Sequence, residues 1–355
     1  MATDLETKET KAEGVPRVAK RGARLKLATL NFLRVMRANP LTMIGFVLVL
    51  IITLTAVALI VVPPIAGAIV GHPVMLTPFD PNAPDTSSCP VINNVTICAQ
   101  PPSAQHWFGT DNLGRDMLSR VLAALPLDLF IAFSVAGFSL LLGGGLGLVA
   151  GFWDKPGTLG GAVSLVIMRL TDIFLAFPSL VLALAIAASL GRGTGPSILA
   201  VMLTWWPFYV RLTRGEVIAV KHQPYVIAAR AAGVGEWRIL FRHVFRNILE
   251  PLVVYFTLDV GTVIIIFSTI SFIGIGVPLD QPEWGNMVEA YEKLLLTAPW
   301  TVLAAGGAIF VTVLAFSLLG DGLRDILDPR SRRALTQATA TMTAPGTAGA
   351  GSSEA

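Results

Sequence analysis

The residues able to do chemistry are few here, and their spacing excludes more than it supports. The four histidines, His72, His106, His222 and His243, show no metal-ligand spacing, and no serine occupies a Gly-x-Ser-x-Gly turn. The phosphate cradle Gly-x4-Gly-Lys-Ser/Thr is missing, so ATP cannot be held in that way. Gly191-Arg-Gly-Thr-Gly-Pro196 is rich in glycine but reads as a short turn. These patterns predict no catalytic residues, no metal site and no directly bound cofactor. Cys89 and Cys98 lie close together in a polar stretch of Pro, Asn and Ser, which fits a loop disulfide on an oxidising face; two free thiols are the alternative. Between them, Asn94-Val95-Thr96 matches a glycosylation acceptor, a triplet that also arises often by chance.

Three ionisable residues fall inside long apolar runs: Arg169, Asp172 and Asp259. Such groups are costly in lipid and point first to a function. Arg169 and Asp172 are three apart on one helical face, so mutual pairing is expected. Asp259 either faces a water-filled pathway or bonds a neighbouring subunit. In the same runs, Pro178 removes one backbone hydrogen bond and predicts a kink. Gly143, Gly147 and Gly151 recur every four residues, a spacing that permits close helix contact.

The elements that must position these residues follow from composition. Of 355 residues, 54% are hydrophobic and 14% charged, against about 25% charged in soluble domains. A spanning helix needs about 20 apolar residues, and six segments qualify: 43–62, 129–153, 162–190, 193–210, 251–277 and 294–320. Runs this long exclude the alternating pattern of a barrel, so the expected fold is an all-α integral membrane protein with six transmembrane helices. An even span count puts both termini on one side. Of the 26 Lys and Arg residues, 21 then fall on that side and only Arg115, Arg120, Arg192 and Lys293 on the other, with Arg169 inside a span; both termini are expected in the cytoplasm. About forty mostly polar residues precede the first apolar run, which is expected to stay as an anchor rather than be cleaved. The net charge of +3 gives no reason to expect nucleic-acid binding. The resulting organisation is a cytoplasmic arm 1–40, a first span 41–65, an extracytoplasmic loop 66–126, a membrane domain 127–321 containing a cytoplasmic loop 211–250, and a cytoplasmic tail 322–355. Composition predicts that both ends are largely disordered.

The cytoplasmic loop is the most informative internal segment. In Tyr225-Val-Ile-Ala-Ala-Arg-Ala-Ala-Gly233, Ala228, Ala229, Ala231 and Ala232 predict a helix of little side-chain bulk that can enter a groove on another protein, with Gly233 ending it at positive φ. Beyond it, Arg238, Arg242 and Arg246 form a basic stripe opposite an apolar face. An interfacial helix on anionic lipid would account for the stripe but not for the small-residue helix and its glycine. Ahead of the second span, Gly114-Arg115-Asp116 reads as a charged helical turn packed at the membrane surface.

The Ala-Ala-x3-Gly arrangement resembles the coupling-helix loop of ABC importer permeases. Ile227 stands where that family has Glu, and Arg246 where it has Pro. Further segments resemble the C-type permeases of dipeptide and oligopeptide transport: His106 to Arg120 with Asp111, Gly114, Arg115 and Asp116; Asp172-Ile-Phe-Leu-Ala-Phe177-Pro178; Ser271-Phe-Ile-Gly274-Ile-Gly276; Pro282-Glu-Trp284-Gly285; and Leu319-Gly320-Asp321-Gly322 onward. The resemblance covers about residues 30 to 330. It implies a type I ABC importer permease fold in a prokaryotic inner membrane. It also implies a homologous second permease, two ATP-binding subunits that use ATP and Mg, and an extracytoplasmic substrate-binding protein. Tyr225, Ala228, Ala229 and Gly233 would dock on an ATPase subunit. Importers of nickel, oligosaccharides or opines share these motifs and are the nearest alternative; a membrane-embedded enzyme or receptor is a more distant one.

Overall fold

The structure is a computed structural model and describes residues 39–70, 74–84, 89, 91–92, 95–96 and 98–327. Asn94 and nearly all of both tails lie outside the described residues. The architecture is helical, apart from a minimal antiparallel hairpin, β1 (Val91–Ile92) with β2 (Val95–Thr96), pairing Val91 with Thr96 and Ile92 with Val95.

Helix α1 spans Pro40–Val70, and Pro40 at its start sacrifices no hydrogen bond. Helix α2 covers Met117–Phe152 and is capped by Asp116, whose side chain accepts from the Ser119 amide. Thr158 caps α3 (Leu159–Leu175) in the same way. Then come α4 (Ser179–Leu190), α5 (Thr194–Lys221), α6 (Pro224–Ala231) and α7 (Glu236–Phe272), the last with a π-helical stretch at Leu240–Val244. Helix α8 (Trp284–Tyr291) and a 3₁₀ turn at Glu292–Leu294 lead to α9 (Pro299–Leu327).

Four of these helices, α1, α2, α7 and α9, are long and apolar enough to cross a membrane, and the α3–α4 pair makes five if counted as one span. Two expected spans take a different form. The third is not one kinked helix: α3 and α4 meet at 86°, because Pro178 adopts an extended backbone (ψ 122°) and cannot donate to the preceding turn. The fourth lies within α5, which continues past Val210 to Lys221 and falls below the apolarity of the other spans.

The core is built where α2, α5 and α7 cross, around Ile131, Val135, Tyr209, Val260, Val263 and Phe267. Glycine makes the closest crossing possible. A Cβ on Gly143 would sit 2.2 Å from the Trp206 carbonyl oxygen, on Gly147 2.7 Å from that of Val210, and on Gly151 2.7 Å from Val217 Cβ. The four-residue glycine stripe is thus the seam between α2 and α5. Outward faces of α1 and α9 carry exposed Leu54, Ile60, Leu303 and Phe310, as expected where the surrounding solvent is lipid.

Candidate functional site

Helix α6 projects as a short exposed rung between α5 and α7. Only Val226 is buried; Tyr225, Ile227 and Ala228 face outward and Ala229 is half-buried. Pro224 starts the helix at a position where its missing N–H costs nothing. Gly233, at φ 77°, ends it: its amide donates to the Arg230 carbonyl at 3.0 Å and the Val234 amide to the Ala229 carbonyl at 3.1 Å, the paired bonds of a Schellman stop. A Cβ at Gly233 would meet nothing within 4 Å, so the backbone angle alone explains the glycine. Across the turn, Arg230 forks onto Glu236 at 2.8 and 3.1 Å. The stripe of Arg238, Arg242 and Arg246 is exposed, while Ile239, Leu240, Val244 and Ile248 are buried.

At the opposite end, the segment before α2 is a folded turn rather than the expected charged helical one. Gly114 takes φ 78°, and Thr110 bridges Asp116 across the turn, so the helix begins only at Met117. Buried Asp111 organises this turn: it accepts from the Leu113 and Arg115 amides, from Arg115 Nε at 2.7 Å and from the Tyr291 hydroxyl at 2.8 Å. Asp116 accepts from the Ser119 hydroxyl at 2.7 Å and lies 2.9 Å from His106 Nδ1. Burial, and then Asp111 beside it, push the Tyr291 hydroxyl up from its ordinary pKa. Cys89 and Cys98 are joined by a disulfide, and Thr110 Oγ1 donates to the Cys98 carbonyl at 2.6 Å, fixing the base of that loop to the turn.

Glu283 caps α8, accepting from the Gly285 and Asn286 amides at 2.8 and 2.7 Å, while the Trp284 amide donates to Asp128 of α2 at 3.2 Å. Burial holds the Glu283 carboxyl above its ordinary pKa, against the opposing pull of the two amides. Next to this junction, Gly274 and Gly276 line a cavity of about 520 Å³ that also meets Arg192, Ser271 and Glu289. Gly276 packs against Ser271, where a Cβ would come within 2.1 Å of the hydroxyl.

Two expectations about intramembrane charges are corrected. Asp172 does not pair with Arg169; it accepts from Arg211 Nη2 of α5 at 2.8 Å, because the 86° break brings the end of α3 beside α5. Asp259 neither faces an open pathway nor awaits another subunit. It is buried, accepting from Trp205 Nε1 at 2.9 Å and from the Tyr209 hydroxyl at 2.9 Å, both on α5. Trp205 and Tyr209 are four apart and share a helical face, which is the one signal in the sequence that could have nominated them. Tyr291, 180 residues from Asp111, carried no such signal.

The family model for the binding-protein-dependent transport system inner membrane component matches residues 143–333. The chain belongs to that family. It is 39% identical over 247 residues to the dipeptide transport system permease protein DppC of Alkalihalophilus pseudofirmus, covering 70% of this chain and 79% of that protein. It is 40% identical to the probable D,D-dipeptide transport system permease protein DdpC of Escherichia coli K12, covering 72% and 81%. Against the glutathione transport system permease protein GsiD of Pectobacterium atrosepticum the identity is 38%, over 64% and 74%. Among solved structures, the fold is similar to that of the inward-facing MetNI methionine ABC transporter, with a TM-score of 0.51 at 16% identity over 60% of this chain and 98% of that one. This permease is therefore a multi-pass inner-membrane protein with the type I importer fold, and α5, α6 and α7 lie within the matched region.

Proposed function

We propose that this permease forms half of the translocation pathway of an ATP-driven importer of di- and oligopeptides. A homologous permease supplies the other half, two ATP-binding subunits using ATP and Mg dock on the cytoplasmic face, and an extracytoplasmic binding protein delivers the solute. The observation that carries the reading is α6: an exposed helix of small side chains, closed by a Schellman stop at Gly233 and held between two long helices. Exposed Tyr225 and Ala228, with half-buried Ala229, form the surface offered to the ATPase cleft, and Ile227 puts an apolar contact where other permeases use an acidic one. Dipeptides and glutathione in the relatives' names support a peptide cargo. The Lys/Arg distribution supports cytoplasmic termini, with α6 on the same side. ATP provides the differential stabilisation needed to alternate two shapes.

The test is reconstitution with the ATPase subunits and binding protein in proteoliposomes, measuring uptake of labelled dipeptide. Gly233→Pro, or a bulky replacement at Ala229, is expected to lower binding-protein-stimulated ATP hydrolysis while membrane insertion stays normal. Unchanged uptake in both variants would remove α6 from the coupling role, and stimulation by nickel or an oligosaccharide instead of peptide would replace the cargo.

A further inference from the structure

Both ends of the coupling helix are tied to one four-residue patch on a different helix. On the entry side, Lys221, the last residue of α5, is buried to 9% exposure. Its Nζ donates to the Gly151 carbonyl at 2.9 Å and to Asp154. Gly151 lies in the last turn of α2, whose terminal carbonyls have no partner within the helix, so the ammonium group caps α2 at the negative end of its dipole. Arg214 Nη2 stands 3.9 Å from the second Asp154 oxygen and reinforces the same charge. On the exit side, Trp237, in the first turn of α7, meets Trp153 at 5.0 Å between ring centroids, and Trp153 meets Phe152 edge-to-face at 5.0 Å. Between the two, Val226 of α6 is fully buried in one apolar cluster with Leu148 and Phe152 of α2 and with Ile239, Leu240 and Val244 of α7.

We propose that residues 151–154 at the end of α2 receive the stroke of the coupling helix, with Lys221 and the Trp153–Trp237 pair as positioning residues that make α6 and α2 move as one body. The inference rests on the importer reading above. Its physical reason is leverage. An eight-residue helix with one buried side chain has little hold of its own and would hinge at its two flanking turns under load. A polar clasp before it, an aromatic clasp behind it and the apolar cluster that Val226 shares with Leu148 and Phe152 all converge on the C-terminal end of α2, so displacement of α6 enters that helix at its end. Helix α2 is about 54 Å long at 1.5 Å per residue, and its far end carries Asp116 and, a few turns in, Asp128 against α8. A push on α6 therefore reaches Asp128 and α8 along one continuous helix, which meets its internal proline, Pro126, only beyond that point and is kept against α5 by the glycine seam.

The experiment measures ATP hydrolysed per peptide imported, using the complete complex in proteoliposomes. Lys221→Met keeps the aliphatic stem and removes the ammonium group; the ratio should rise about fivefold or more, the lower end of a typical coupling between sites. Lys221→Arg should restore most of the wild-type ratio. Lys155→Met, which removes an exposed charge beside the patch, should leave it unchanged. A role in folding alone would lower import and hydrolysis together, so parallel losses at constant ratio overturn the proposal, as does a wild-type ratio in Lys221→Met. Should that variant fail to assemble, Trp237→Leu leaves the polar clasp intact and carries the same expected rise, and an unchanged ratio there overturns the proposal equally. If the wild-type complex itself shows no stimulation by the binding protein, the importer reading fails instead.

Discussion

Replacing Gly143 with alanine should destabilise this permease far more than replacing Gly145, although the two lie two residues apart in α2. At Gly143 the new Cβ would sit 2.2 Å from the Trp206 carbonyl oxygen and 2.8 Å from Tyr209 Cβ. Ordinary contact begins at 3.4 Å, so α2 and α5 must separate by about 1.2 Å. The obstacle is backbone, and Gly147 and Gly151 hold the same two helices in contact farther along α2, so no rotamer change relieves the clash. Overpacking of this kind costs about 1–3 kcal/mol, and a gap of that width forfeits about half or more of the dispersion along the seam. At Gly145 a Cβ meets nothing within 4 Å, and alanine gains about 1 kcal/mol of helix propensity. The two variants should therefore differ by roughly 2–4 kcal/mol. Thermal unfolding in detergent, followed by tryptophan fluorescence at one fixed scan rate because membrane proteins unfold irreversibly, reads the difference as a melting point several degrees lower for Gly143→Ala. Equal melting temperatures for the two variants would refute the seam.

Three further outcomes follow from the buried polar groups. Trp205→Phe deprives the Asp259 carboxylate of its Nε1 donor and should cost about 1.5–3 kcal/mol, whereas Trp206→Phe, with its ring against Phe174, should cost less; identical melting points would count against the Asp259 network. Tyr291→Phe removes the hydroxyl that donates to Asp111, and in the detergent-solubilised protein the turn 109–116 should then be cut faster by protease; an unaltered rate would show that the bond does not hold the turn. Burial raises the Glu283 pKa, so the fold binds a proton there more tightly than the unfolded chain does. The stability it contributes is complete below the ordinary carboxylate pKa and is lost as pH rises through the raised value. Hydrogen exchange across residues 277–291 should accelerate with pH beyond the intrinsic chemical rate, and Glu283→Gln should diminish that excess; an undiminished excess in the variant would locate the titration elsewhere.

The parts of this protein legible in its sequence are those governed by a residue's immediate surroundings. Gly233 announced a helix stop because positive φ favours glycine whatever lies nearby. The Gly143, Gly147 and Gly151 repeat announced a close contact, though not that α5 supplies the other side. Where a long-range partner decided the outcome, local spacing misled. Arg169 and Asp172 share a face, but an exposed i,i+3 pair contributes only about 0.2–0.5 kcal/mol, too little to outweigh Arg211 arriving from α5. The turn before α2 looked helical by composition, yet Asp111 bonds to Tyr291 from the far end of the chain, and Gly114 adopts a backbone angle that the helix cannot contain.

Sequence alone determined that the chain resides in lipid, that the segments forming α1, α2, α7 and α9 are long and apolar enough to cross it, and that the short helix after α5 stops at Gly233. Each of these depends on transfer free energy or backbone preference summed over a few turns. Tertiary structure alone decided the right angle at Pro178, the long-range partners of Asp111, Asp172 and Asp259, and the convergence of Lys221, Val226 and Trp237 on the end of α2. Those contacts join residues up to about 180 positions apart, and they exist only because helices far apart in the chain cross at distances that glycine permits.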